Sequence, residues 1–169
     1  MRIRTEKGFT LIELLIVVAI IGIIAAIAVP GLLRARISGN EASAIGSMRA
    51  INTSQQNYSQ LCNGYSPDLP TLGSAGNYLS PDLTAAATVN KSGFSITEAG
   101  IGTALTGVPA ACNGPQPQYS ASATGLSTST ASRAFATTES GTIFYTTTPL
   151  TPPTVAAMTS NPPTATPIQ

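Results

Sequence analysis

The chain has 169 residues with 8 Lys+Arg, 7 Asp+Glu and no histidine, enough for one domain of ordinary size. Without histidine the commonest general base, pH switch and metal ligand are gone, and the acids are well separated, so neither an enzyme nor a metal or cofactor site is expected. The cations beyond the N-terminus, Arg34, Arg36, Arg49, Lys91 and Arg133, are scattered and give no footprint for nucleic acid.

Residues 1–8 are short and basic, and an apolar run follows at once. From Leu14 to Val29 no side chain is polar, and the 21 residues from Phe9 to Val29 would rise about 31 Å as a helix, the thickness of a bilayer core. The segment therefore predicts a membrane span. Arg2, Arg4 and Lys7 on one flank bias the N-terminus toward the cytoplasm, against Arg34 and Arg36 on the other. An ordinary secretory signal is cut after its apolar region, where Ala25, Ala26 and Ala28 offer only a poor site. One carboxylate, Glu13, stands inside the apolar run. At a cost of about 3 kcal/mol in such a segment it calls for a partner.

The stretch from Lys7-Gly8-Phe9-Thr10-Leu11-Ile12-Glu13 to Gly22, followed by Pro30, resembles the N-terminal segment of type IV pilins, the prepilin-type cleavage and methylation family, to which the pseudopilins of type II secretion are related. The resemblance is strong over about the first 30 residues. It implies a leader, 1–8, that a prepilin peptidase removes between Gly8 and Phe9, and methylation of the new amine of Phe9. It further implies that Glu13 pairs with the N-terminal amine of a neighbouring subunit, and that Gly22 and Pro30 bound a section where the helix loosens on assembly. A simple kink there is the plain alternative. Physics supports the charge pair: an unpaired charge stranded among aliphatic side chains costs several kcal/mol, so the pair would fix one axial stagger between helices. Loss of residues 1–8 would leave five basic against six acidic side chains, a charge of −1.

Beyond Pro30 the pattern becomes amphipathic. Ile37, Ala44, Met48, Ile51, Gln55, Tyr58 and Cys62 recur at spacings of 7, 4, 3, 4, 3 and 4 and define one face, with Arg34, Arg36, Glu41, Arg49 and Gln56 largely off it. A helix over 9–62 results, ended by a left-handed cap at Asn63-Gly64, with 9–29 transmembrane and, as the resemblance implies, the filament core. Cys62 and Cys112, 50 positions apart, have no zinc or redox spacing; in an exported chain they read as one disulfide, the alternative being two buried thiols.

Residues 63–148 read as loops and a small sheet. After a Gly-, Ser- and Pro-rich stretch anchored by Tyr78 to Leu83, four strands are predicted: around Phe94 to Glu98, Tyr119–Thr124, Arg133–Thr138 and Thr142–Thr146, the last two a hairpin. The fold class expected is α+β, a long N-terminal helix packed on an approximately four-stranded antiparallel sheet. Residues 149–169 hold 6 of the 13 prolines among threonines. They predict a flexible tail that buries no core, or a glycan carrier.

Taken together, the resemblance implies a structural subunit held in the bacterial inner membrane by a single pass, its C-terminal part periplasmic, and then polymerised by an inner-membrane assembly machinery into an extracellular homo-oligomeric pilus. Adhesion, motility and DNA uptake are activities of such filaments. A type II secretion pseudopilin is the alternative, although only Glu139 follows Glu98 among the acids and tryptophan is absent. A conductive filament is disfavoured because no aromatic residue lies between Phe9 and Tyr58.

Overall fold

The computed structural model describes residues 8–74, 76, 78–161 and 163–168. Residues 1–7 of the expected leader, with Ala75, Asn77, Pro162 and Gln169, lie outside the described residues. Internal contacts divide the chain into two units, Met1–Arg36 and Ile37–Gln169. Helix α1, Leu11–Cys62, contributes to both, so the boundary between the units falls inside it. The physical reason is that its second half supplies one wall of the core.

In the first unit α1 is helical through both Gly22 and Pro30. Proline there removes one backbone donor, which a helix tolerates at local cost. The large apolar side chains from Leu11 to Val29 are 49% to 77% exposed. By length and composition this helix can cross a membrane.

The second unit holds the rest of α1, the short helices α2 (Leu69–Ser74), α3 (Pro81–Thr84) and α4 (Val155–Thr159), and one antiparallel sheet. The sheet has six strands in chain order, β1 (Thr88–Lys91), β2 (Phe94–Ile101), β3 (Gln118–Gly125), β4 (Ala134–Thr138), β5 (Ile143–Thr146) and β6 (Thr166–Pro167). The four expected strands correspond to β2 through β5, and the two that were missed are the edges. β1 carries a single apolar residue, Val89, so no alternation marks it. It joins β2 through Ser92 (φ 49°) and Gly93 (φ 77°), a two-residue turn whose positive dihedrals suit the twist of a hairpin. β6 ends in proline, which sequence rules demote; at an edge its missing N–H costs nothing, and Ile168 N donates to Ile143 O at 2.8 Å.

On the inner face of the sheet Phe94, Ile96, Tyr119, Ala121 and Ala123 alternate with less buried residues, as a strand with one covered face requires, and Phe135 of β4 joins them. They share a core with Ala44, Met48, Ile51, Tyr58 and Cys62 of α1, the face predicted from spacing. Leu79 and Leu83 close the same core. Asn63 ends the helix in the left-handed region, φ 54°.

The C-terminal segment departs from expectation. It buries Met158, which packs with Ala136 of β4 and Phe144 of β5 in a second apolar cluster joined by Val155 and Ala165. Thr154 caps α4 by accepting from Ala157 N at 3.3 Å, and Gly125 N donates to Pro149 O at 2.7 Å. Composition concealed this because three or four apolar residues among prolines suffice to cover the outer face of two strands, and every residue of β4 is consequently buried.

Candidate functional site

The chemistry-bearing residues of the first unit sit at the start of α1. Thr10 N and Thr10 Oγ1 both donate to Glu13 Oε2, at 2.9 and 2.6 Å, and Glu13 N donates back to Thr10 Oγ1 at 3.3 Å. This is a reciprocal capping box, Thr-x-x-Glu, which satisfies backbone donors that the first helical turn would otherwise leave open. The Thr-x-x-Glu signature is legible in the sequence, where Glu13 stands out for its charge and Thr10 does not. Only Oε2 is engaged, so Oε1 has no hydrogen-bond partner among the described residues. Glu13 lies on the helix turn that follows Phe9, which is 82% exposed.

Two glycines of the motif have no packing explanation within the single chain. A Cβ built at Gly8 or at Gly22 would meet nothing within 4 Å. Leu11, Leu14, Leu15, Val18 and Ala19 line an open apolar groove along the same stretch. Gly8, Phe9, Glu13, the groove and Gly22 thus share the first unit, whereas Cys62 and Cys112 belong to the second.

In the second unit Cys62 and Cys112 are bonded, S–S 1.97 Å with Cα atoms 5.6 Å apart. Two further polar clusters hold α1 to the sheet. Glu41, placed off the buried face by its spacing, is in fact buried, and it accepts from Ser132 N, Ser132 Oγ, Arg133 N, Arg133 Nε and Arg133 Nη2 at 2.6 to 3.1 Å. Burial alone would raise its pKa, but the Ser132 and Arg133 hydrogen bonds outweigh it and hold the carboxyl below its ordinary range. The Arg133 guanidinium also lies 5.6 Å from the Phe135 ring centroid and 5.3 Å from that of Tyr145. Further along, Asn52 donates to Thr137 Oγ1 at 3.1 Å and to Gly141 O at 2.9 Å, while Tyr119 OH donates to Asn52 Oδ1 at 2.9 Å. Nothing in the local sequence distinguishes Asn52 from a solvent-facing helical asparagine. Among the described residues no three His, Cys, Asp or Glu side chains gather as metal ligands.

A membrane-competent helix opening on a capped glutamate, followed by an α+β head, defines a pilin-like class of protein. Residues 3–29 match the model of the prokaryotic N-terminal methylation motif. The type IV major pilin protein PilA of Myxococcus xanthus is 39% identical over 85 residues, 48% of this chain and 39% of that one. The type IV wide pilus major component PilA4 of Thermus thermophilus is 42% identical over 73 residues, 43% of this chain and 56% of that one. A fimbrial protein of Pseudomonas aeruginosa is 78% identical over 27 residues, 16% and 18% of the two chains. The chain thus spans about half the length, or less, of the curated relatives it matches. No solved structure matches it. Over its N-terminal segment the chain is similar to the type IV pilins.

Proposed function

We propose that this chain is a structural subunit of a type IV pilus, and that it acts by polymerisation and not by catalysis. The observation that carries the reading is the first unit: some twenty exposed aliphatic residues, interrupted by one carboxylate at the helix start, within a matched methylation motif. Such a surface is stable only in lipid or against like helices. The names of the relatives, major pilins and fimbrial proteins, support a pilus over a secretion pseudopilin.

In this reading a prepilin peptidase cuts between Gly8 and Phe9, and the amine of Phe9 is methylated. Before assembly the chain rests in the inner membrane by one pass, with the second unit in the periplasm. In the monomer Glu13 is occupied by its own capping box through Oε2, which leaves Oε1 for the N-terminal ammonium of a neighbour. Capping and pairing are then compatible, and the carboxylate selects the axial register of adjacent helices because any other register strands it unpaired. Gly22 and Pro30 delimit the section of helix that loosens, and the inner-membrane assembly machinery moves the helix from lipid into the filament.

The test is to shear cells bearing the gene and determine the N-terminus and copy number of the released protein. Abundant filament beginning at N-methylated Phe9 is expected. Retention in the envelope with no sheared polymer would replace the pilus by a secretion pseudopilus. Gly8→Ala is expected to block processing, and Glu13→Ala to be processed yet assemble poorly in a strain with no other pilin.

A further inference from the structure

Glu98 lies in the middle of β2 on the face that meets α1, and it is 3% exposed. Its single side-chain hydrogen-bond partner among the described residues is an amide whose orientation is settled. Gln55 Oε1 accepts from Ser66 N at 2.8 Å, so the other end of that amide, Nε2, faces Glu98 Oε1 and also reaches Ser66 O at 3.3 Å. Glu98 Oε2 has no hydrogen-bond partner among the described residues. Among the described residues the groups that act on it carry no positive charge: α1 contributes Gln55, the following connection Asp68, and β3 Tyr119, whose hydroxyl is donated to Asn52. The two ion pairs among the described residues, Lys91 with Asp82 and Arg133 with Glu41, leave it out. A second unpartnered acceptor, Gln116 Oε1, belongs to a side chain that lies over Gly100, two residues along the same strand.

An ionised carboxylate here would have one neutral donor, an orphaned oxygen, no counter-ion and the Asp68 charge nearby, the arrangement that buried charges avoid. A carboxylic acid removes each difficulty: the charge disappears, and Oε2 becomes a donor in a place where both unsatisfied atoms are acceptors. We propose that Glu98 binds a proton in the folded chain at neutral pH, making the contact between α1 and β2 a proton-dependent lock that alkali opens. Burial, the largest influence, and the Asp68 charge push the carboxyl up to about 8 against the lowering hydrogen bond from Gln55, in agreement with the geometry.

The linkage has a defined sign. The unfolded chain releases this proton near the ordinary value of 4.5 and the folded chain near 8. Folding therefore takes up a proton between those values, and the stability present below 4.5 is lost as pH rises through the window and is gone above about 8. The lock is independent of the pilus reading, because it resides wholly in the second unit.

The test uses the full chain in detergent micelles, unfolded by urea at a series of pH values and followed by near-ultraviolet circular dichroism of the tyrosines. Wild type is expected to lose about 70-fold in folding constant from pH 5 to pH 7 through this group, approaching tenfold per unit. Glu98→Gln, isosteric and neutral, is expected to lose that slope. Infrared spectra of the wild type at pH 7 are expected to contain the carbonyl stretch of a protonated carboxyl, absent in Glu98→Gln and retained in Glu41→Gln. The absence of that band from wild type overturns the proposal even where the variant fails to fold, as does an unchanged slope in Glu98→Gln. Stabilisation by added calcium or magnesium with loss of the band would assign the two orphaned oxygens to a cation and overturn it as well.

Discussion

The two halves of α1 have the same backbone and opposite relations to their surroundings. From Leu11 to Arg36 every side chain is exposed; from Ile37 to Cys62 ten residues are buried, among them Glu41, Asn52 and Gln55. The first half is the more apolar of the two and yet the one without a core. Its hydrophobicity is addressed to something outside the chain, lipid or other helices, while the second half reaches the sheet through a narrower apolar face reinforced by polar contacts. Hydrophobic content alone is therefore a poor guide to which part of this helix stabilises the fold.

The largest expected effect that would sharpen this contrast is removal of the disulfide at the end of the second half. Cys62→Ser should cost about 4 kcal/mol, the chain-entropy figure for a loop of this size, in urea unfolding of the second unit. Arg133→Met leaves Glu41 buried without its counter-charge and should cost about 3 kcal/mol. That loss should itself shrink in acid. The Glu41 carboxyl is held below its ordinary value, so its contribution is present above 4.5 and lost as pH falls through the depressed value, opposite in sign to Glu98.

Apolar truncations test the contrast directly. Ile51→Ala should destabilise the second unit by about 3 kcal/mol, whereas Leu15→Ala should leave it within about 0.5 kcal/mol and act on filament yield. Equal effects on the second unit would break the comparison. Met158→Ala should cost about 2 kcal/mol, a measure of how firmly the C-terminal segment is bound to the sheet. The smallest change is at the other end: Thr10→Ala should weaken the first turn of α1 by about 1 kcal/mol, visible as faster amide exchange at residues 11–14.

Periodicity and chemistry along the chain were enough to read the apolar span, the glutamate within it, the one-sided face from Ala44 to Cys62, the left-handed stop at Asn63, the cysteine pair and the four inner strands. Each is a local pattern, or a pattern with a fixed repeat, and such patterns survive without knowledge of what lies across the core. Both edge strands escaped because an edge needs little hydrophobicity. The bound C-terminal segment escaped because its few apolar residues act only when β4 and β5 present a face to them. Tertiary structure alone decided the fates of the two buried acids: Glu41 finds a guanidinium 92 positions away, and Glu98 finds only an amide. Charge in a protein interior is determined by what surrounds it, and those surroundings are assembled from distant parts of the chain.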